Sequence, residues 1–229
     1  VKGVTFGAKH SYDNFGLILA SKTIGMPEPK TETADIATRD GVIDLTESLG
    51  SVKYSNRILT LTFTLPESEC HWPSRLSEIA NYLHGKKMEI FLDDDKGWYY
   101  YGRCTVNEYV SEKTLGTVVI ECDVEPYKQE INSPGKPWKW DPFNFINGIV
   151  YPYDIVVNNT VTINLFSRAR IVSPTFTCSS AMAVTYNGHT YQLPAGRTKV
   201  YEINLSQGDN AVTFSGNGTV NIEYEGGLL

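Results

Sequence analysis

Residues 58–65 alternate strictly, with Ile58, Thr60, Thr62 and Thr64 pointing one way and Leu59, Leu61, Phe63 and Leu65 the other. A period of two is the pleat of a strand, and an apolar set on one side only makes it half-buried, ending at Pro66. Most other periodic segments repeat the pattern. Lys87–Leu92 and Trp98–Val106 flank Asp93-Asp94-Asp95-Lys96-Gly97, a hairpin loop with glycine available for positive φ, and Thr117–Val124 follows the Gly116 turn. One helix interrupts them at about 73–84. There Leu76, Ile79, Ala80 and Leu83 recur at helical spacing, with Pro73-Ser74 at the start and Gly85 at the stop. The first part is therefore expected to be β-rich with one packed helix.

The later part reads as strand and turn throughout. Segments at Thr160–Leu165, Thr175–Cys178, Ala183–Tyr186, Thr190–Leu193, Lys199–Asn204, Ala211–Phe214 and Thr219–Tyr224 are parted by turn residues. Those turns are Asn187-Gly188, Pro194-Ala195-Gly196, Gln207-Gly208-Asp209 and Gly216-Asn217-Gly218, and the spacing predicts an antiparallel β-sandwich.

Charge divides the chain in the same place. Residues 1–130 hold 14 Lys+Arg against 20 Asp+Glu, whereas 131–229 hold 6 and 6, so the first part carries the whole net charge of −6. Asn132-Ser133-Pro134-Gly135-Lys136-Pro137 lies between them and stops both helix and ladder. The expected organisation is a β domain over 1–130, a linker over 131–145 and a sandwich over 146–229. Trp138, Trp140, Phe143 and Phe145 would pin that linker to a neighbour.

Several function classes find no support. An acidic chain without a basic run lacks the footprint of a phosphate-backbone binder, so no specific nucleic-acid binding is expected. No stretch reaches the ~20 apolar residues of a membrane span, so neither is membrane insertion. The opening residues show no basic, apolar leader, and a start at Val1 rather than Met points to a trimmed chain. Four cysteines, at 70, 104, 122 and 178, include no CxxC pair and read as free, mostly buried thiols. Cys70-His71 has no second ligand pair, and the triple aspartate lacks the alternate spacing of a calcium loop and reads as a solvated hairpin tip. No metal or cofactor is expected. With no P-loop, dinucleotide fingerprint or G-x-S-x-G, and carboxylates too numerous to single out a hydrolase pair, no catalytic residue emerges and the chain is not expected to be an enzyme.

Two features ask for partners. The 27 aromatic residues include Trp98-Tyr99-Tyr100-Tyr101 in one strand, which must either be central or meet another subunit. Tyr186, Tyr191, Tyr201 and Tyr224 could form a sugar-stacking platform but are more simply sandwich core or rim. Between Ile24 and Leu49, Met26-Pro27-Glu28-Pro29 leads through a Thr-rich run to Arg39-Asp40-Gly41 and Val42–Leu45, two extended arms around an Asp-Gly turn. Such an arm is either a mobile loop or an intersubunit contact. Ile24, Met26, Ile36, Arg39 and Asp40 are its candidate interface residues. Arg57, at a strand entrance, is the candidate for a buried or interfacial ion pair, and Arg57→Ala is expected to weaken assembly more than folding.

Several of these residues resemble the distal tail proteins of long-tailed phages with non-contractile tails. Gly3-Val4-Thr5-Phe6-Gly7 and Ser11-Tyr12-Asp13-Asn14-Phe15-Gly16-Leu17 look like that family's opening motif. Tyr54-Ser55-Asn56-Arg57-Ile58 looks like its tyrosine, asparagine-arginine signature, and Val124-Glu125-Pro126-Tyr127-Lys128 like the segment closing its first domain. The second part is similar to the galectin-like sandwich often attached there.

The resemblance implies a mainly β protein whose first domain builds a hexameric ring, the hub at the distal end of a virion tail, from a phage or a prophage, assembled in the bacterial host cytoplasm. It implies a homo-hexamer with the tail tube protein on one face and a tail-associated fibre or lysin protein on the other. Receptor-binding proteins would dock on the outer domain. The alternative is a carbohydrate-binding β-sandwich module for host adhesion.

Overall fold

The computed structural model describes residues 2–48, 50–66, 72–111, 115–134 and 154–229. The expected Cys70-His71 pair and the linker beyond Pro134, with its tryptophans and phenylalanines, lie outside the described residues. The chain forms two compact units. The first is built from Val1–Asp94 and Tyr100–Pro126 with Leu229, the second from Asp95–Tyr99 and Tyr127–Leu228.

In chain order the first elements are β1 (Val4–Phe6), β2 (Lys9–His10), α1 (Ser11–Phe15), β3 (Ile18–Ile24), β4 (Thr33–Asp35) and β5 (Val42–Asp44). Then come β6 (Arg57–Leu65), α2 (Trp72–Leu83), β7 (Lys87–Leu92), β8 (Trp98–Ser111) and β9 (Gly116–Val124). The strands line up as β2-β1-β7-β8-β9-β6-β3, and among the described residues β4 and β5 form a sheet of two. The alternation of 58–65 is the reason β6 sits inside: Leu59, Leu61 and Phe63 are fully buried while Ile58 is exposed. Trp72, Ile79 and Leu83 turn the apolar face of α2 into the same core, with Trp72 edge-on to Tyr109 at 6.2 Å. The helix stops where expected, at Gly85 with φ 76°, whose N–H donates to the Cys104 carbonyl.

The aromatic strand is central. β8 lies between β7 and β9, so Tyr100 faces the core and Tyr101 lies under the Lys87 ammonium at 4.5 Å. On the core side Cys104 opposes Cys122 in register, Sγ to Sγ 3.2 Å, both free. The Cys104 contact and burial push the Cys122 thiol far above its ordinary pKa, so it stays protonated and unreactive. The triple aspartate forms the turn between β7 and β8 as expected, with Asp94 exposed and Asp93 and Asp95 partly so, and each carboxylate also finds a partner. Asp93 accepts from the Gly3 N–H at 2.7 Å, Asp94 pairs with Lys22 and Asp95 with Lys128 at 2.7 Å. The Lys22 hydrogen bond holds the Asp94 carboxyl below the usual carboxylate value.

The second unit contains β10 (Lys128–Glu130), β11 (Ile155–Ser167), β12 (Thr175–Cys178), β13 (Met182–Tyr186) and β14 (His189–Leu193). β15 (Gly196–Lys199), β16 (Gly208–Glu223) and β17 (Gly227–Leu228) complete it. Asn187 (φ 49°) and Gly188 (φ 80°) make the hairpin turn between β13 and β14 that their dipeptide predicts. Gly216-Asn217-Gly218 does not turn. Instead β16 runs unbroken for 16 residues, with β11 along one edge and β13 and β12 taking successive segments. A Cβ on Gly216 would stand 2.7 Å from the Met182 Cβ, and one on Gly218 2.5 Å from the hydroxyls of Ser179 and Ser180. These glycines permit a close approach of chain to chain.

Trp98 and Tyr99 belong to this second unit. They pair with Glu130 and Gln129 across the β8–β10 ladder, and the Tyr99 hydroxyl donates to the Gln129 side-chain oxygen Oε1 at 2.6 Å. Arg168 and Lys128 approach the Trp98 ring at 5.3 and 5.2 Å, and Arg168 pairs with Glu130 at 3.0 Å. Among the described residues no helix is long and apolar enough to cross a membrane.

Candidate assembly interface

The arm expected between Ile24 and Leu49 is present as a hairpin with no core of its own. At its base Pro29 bridges Tyr54, the Lys30 N–H donates to the Lys53 carbonyl at 2.8 Å, and the Ser55 N–H donates to the Glu28 carbonyl at 2.8 Å. Further out β4 and β5 pair in the register Thr33 to Asp44, Ala34 to Ile43 and Asp35 to Val42, and Gly41 takes φ 74° beyond Asp40. Local bonds finish it: the Glu32 N–H donates to the Thr46 hydroxyl and the Thr46 N–H to Asp44, whose carboxyl the Thr46 contacts hold below its usual pKa. None of the described residues from 28 to 56 is buried. An isolated two-stranded ribbon is marginal in water at best.

The candidate residues fall into three groups. Met26 is 78% exposed and Ile36 44%, large apolar side chains left in water. Arg39 and Asp40 stand exposed at the tip. Ile24 and Arg57, by contrast, face their own chain. Ile24 is half-buried against the first core, opposite Leu59. Arg57 shares the parity of Leu59 and Leu61 and is only 3% exposed, its guanidinium 4.9 Å from the Tyr100 ring centroid. A desolvated cation over an aromatic face contributes about 2 kcal/mol. Arg57→Ala is therefore expected to cost the single chain about that much in urea unfolding, in addition to any effect on assembly. An unchanged unfolding midpoint would show that the burial carries no energy.

Val42, 60% exposed, and Leu45, 39% exposed, belong with the arm set, although sequence reasoning passed over them. The available signal was their position just beyond Gly41, in a ribbon too short to cover either side. Among the described residues no group of His, Cys, Asp and Glu could hold a metal ion.

No protein family model and no curated protein matches the sequence. In structure the chain is similar to the SPP1 Dit (gp 19.1) protein, described as a paradigm of the hub adsorption apparatus in phages that infect Gram-positive bacteria. The TM-score is 0.61 at 12% sequence identity, and the likeness covers 100% of both chains. The two proteins share a mainly β fold from end to end.

Proposed function

We propose that this chain is a structural protein of a phage tail, the hub at the distal tip, and not an enzyme. The observation that carries the reading is the full-length likeness to a protein of a hub adsorption apparatus, which spans both units rather than one common module. In this reading six copies close into a ring through their first units. The arm of each copy lies on its neighbour, covering Met26, Ile36, Val42 and Leu45, which a lone chain leaves in water. A head-to-tail interface that closes on itself joins two different patches of the same chain, which suits an arm at one side and a receiving surface at the other.

One ring face would meet the tail tube protein and the other a tail-associated fibre or lysin protein. The second unit, read as a galectin-like sandwich, would offer a platform for receptor-binding proteins. An acidic first unit suits a lumen through which nucleic acid passes without adhering. The virion tail is the corresponding location, with assembly in the host cytoplasm.

Light scattering with negative-stain imaging over a concentration series tests this. Six-fold rings with six times the 25.6-kDa chain mass are expected. A monomer at every concentration would remove the support for arm-mediated self-assembly.

A further inference from the structure

The outer strands of the two large sheets differ in how they meet solvent. β2 has two residues, β14 five and β15 four, with Arg197 and Lys199 in the last. β3 carries Lys22 and a register shift between Leu19 and Ser21. Shortness, charge and bulges are the devices that keep an exposed edge from pairing with another chain. β11 lacks all three. Ile155–Ser167 is 13 residues long, contains neither a charged residue nor a proline, and keeps an unbroken register against β16. Among the described residues β16 is its only strand partner, so its other edge presents backbone N–H and C=O groups with no strand to receive them. The Phe166 carbonyl is engaged by the Tyr224 hydroxyl at 2.7 Å, which leaves the stretch up to Leu165.

The core side of this strand is incompletely covered. Val157 and Leu165 are buried, but Val161 and Ile163, which pack on the second core between them, are only half-buried. One more strand along the edge would cover both. On the outer face Asn158, Thr160, Thr162 and Asn164 stand exposed, and the residues opposite them on β16, Asn217, Ser215, Thr213 and Ala211, are uncharged as well.

The occupant follows from the order of the side chains. Counted outward from Val161, the strand reads alike in both directions: threonine at 160 and 162, asparagine at 158 and 164, an aliphatic residue at 157 and 165. Two antiparallel copies with Val161 facing Val161 on a two-fold axis place Thr160 opposite Thr162, Asn158 opposite Asn164 and Val157 opposite Leu165. Threonine pairs and stacked amides are favourable across strands, and the chain already makes one such contact, the Thr162 and Thr213 hydroxyls 2.9 Å apart between β11 and β16. Only Asn159 meets an unlike residue, Ile163; it takes φ 63° and its N–H donates to the Asn217 side chain at 3.0 Å. In a two-fold contact any charge stands near its own copy, so the absence of charge is what makes this edge complementary to itself.

We propose that β11 is a self-association edge: it pairs with β11 of a second copy of this chain, antiparallel and centred on Val161, so that the sheet of one second unit continues into that of the other. The contact does not rest on the ring. A two-fold axis cannot relate neighbours within a six-fold ring, so the edge joins two single chains or two closed rings and doubles the mass in either case.

The test is sedimentation velocity of the full chain over a concentration series. A doubling of mass is expected with a dissociation constant between about 10 µM and 1 mM. Thr160→Lys/Thr162→Lys should weaken it at least about tenfold, because each lysine then faces a lysine of the second copy. Thr160→Lys/Thr162→Glu should retain it, because each lysine then faces a glutamate. Neither double variant meets a charge opposite it on β16 of its own chain. Cross-linking reads the register independently of affinity. Thr160→Cys and Thr162→Cys chains, mixed and treated with oxidised glutathione, should form disulfide-linked pairs several-fold faster than either alone, since equal-numbered residues lie diagonally about 7–8 Å apart. Three results would overturn the proposal: no doubling up to about 1 mM, the two charged variants behaving alike, or each cysteine variant alone cross-linking as readily as the mixture.

Discussion

Gly102→Ala is expected to destabilise the first unit by at least about 4 kcal/mol, a fall of roughly 10 °C or more in melting temperature for a chain of this length. Gly102 sits mid-sheet on β8, opposite Met88 on β7 and Val124 on β9. A Cβ there would stand 2.2 Å from the Asp123 carbonyl oxygen and 2.5 Å from the Val124 Cα. Both are backbone atoms, so no rotamer change relieves the overlap and the β8–β9 ladder itself must part. The residues affected lie beside the buried Cys104 and Cys122 pair. Gly188→Ala is the control. That glycine has φ 80° and nothing within 4 Å, so it should lose only about 1 kcal/mol, from backbone strain alone. A melting temperature for Gly102→Ala within about 3 °C of the parent chain would refute the account.

Excision of the arm is expected to abolish the proposed ring assembly, leaving monomers, without unfolding the chain. Pro29 and Tyr54 already pair across its base, so removing 30–53 and closing with a two-residue Asn-Gly turn leaves the ends where they are. No described residue of that span belongs to the first core. The melting temperature should therefore move by only a few degrees, while light scattering should report a single chain mass at concentrations where the parent assembles. Six-fold rings from the excised protein would show that the arm is dispensable and that closure resides elsewhere in the first unit.

Features that depend on neighbours in sequence are readable from it. The parity that buries Leu59 and Phe63 also buries Arg57, and that parity can be counted along the chain alone. Asn187-Gly188 turns because a two-residue hairpin needs two positive φ values in succession. The arm is visible as short extended pieces around Asp40-Gly41, and Met26 and Ile36 are recognisable as apolar residues without cover. Features that depend on what lies across the fold are not legible in this way. Gly216 and Gly218 look like a turn in sequence, whereas Met182, Ser179 and Ser180 are what make a side chain impossible there. Gly102 is silent for the same reason. Of four tyrosines that read alike, only Tyr201 is exposed, because it stands in the turn after β15, between the buried Val200 and Ile203. The triple aspartate is legible as an exposed hairpin tip, but its partners Lys22 and Lys128 are not, because they come from other elements.

The membership of Asp95–Tyr99 in the second unit has a consequence for synthesis. A ribosome delivers these five residues well before Lys128–Glu130, the strand that pairs with them, and β10 in turn pairs with β17, made at Gly227–Leu228. Trp98 and Tyr99 thus emerge before the strand that pairs with them and well before Arg168, which closes over the Trp98 ring. For the same reason the second unit is not a detachable cassette: a graft that begins at Tyr127 leaves behind the two aromatic side chains on which Arg168 and Gln129 close.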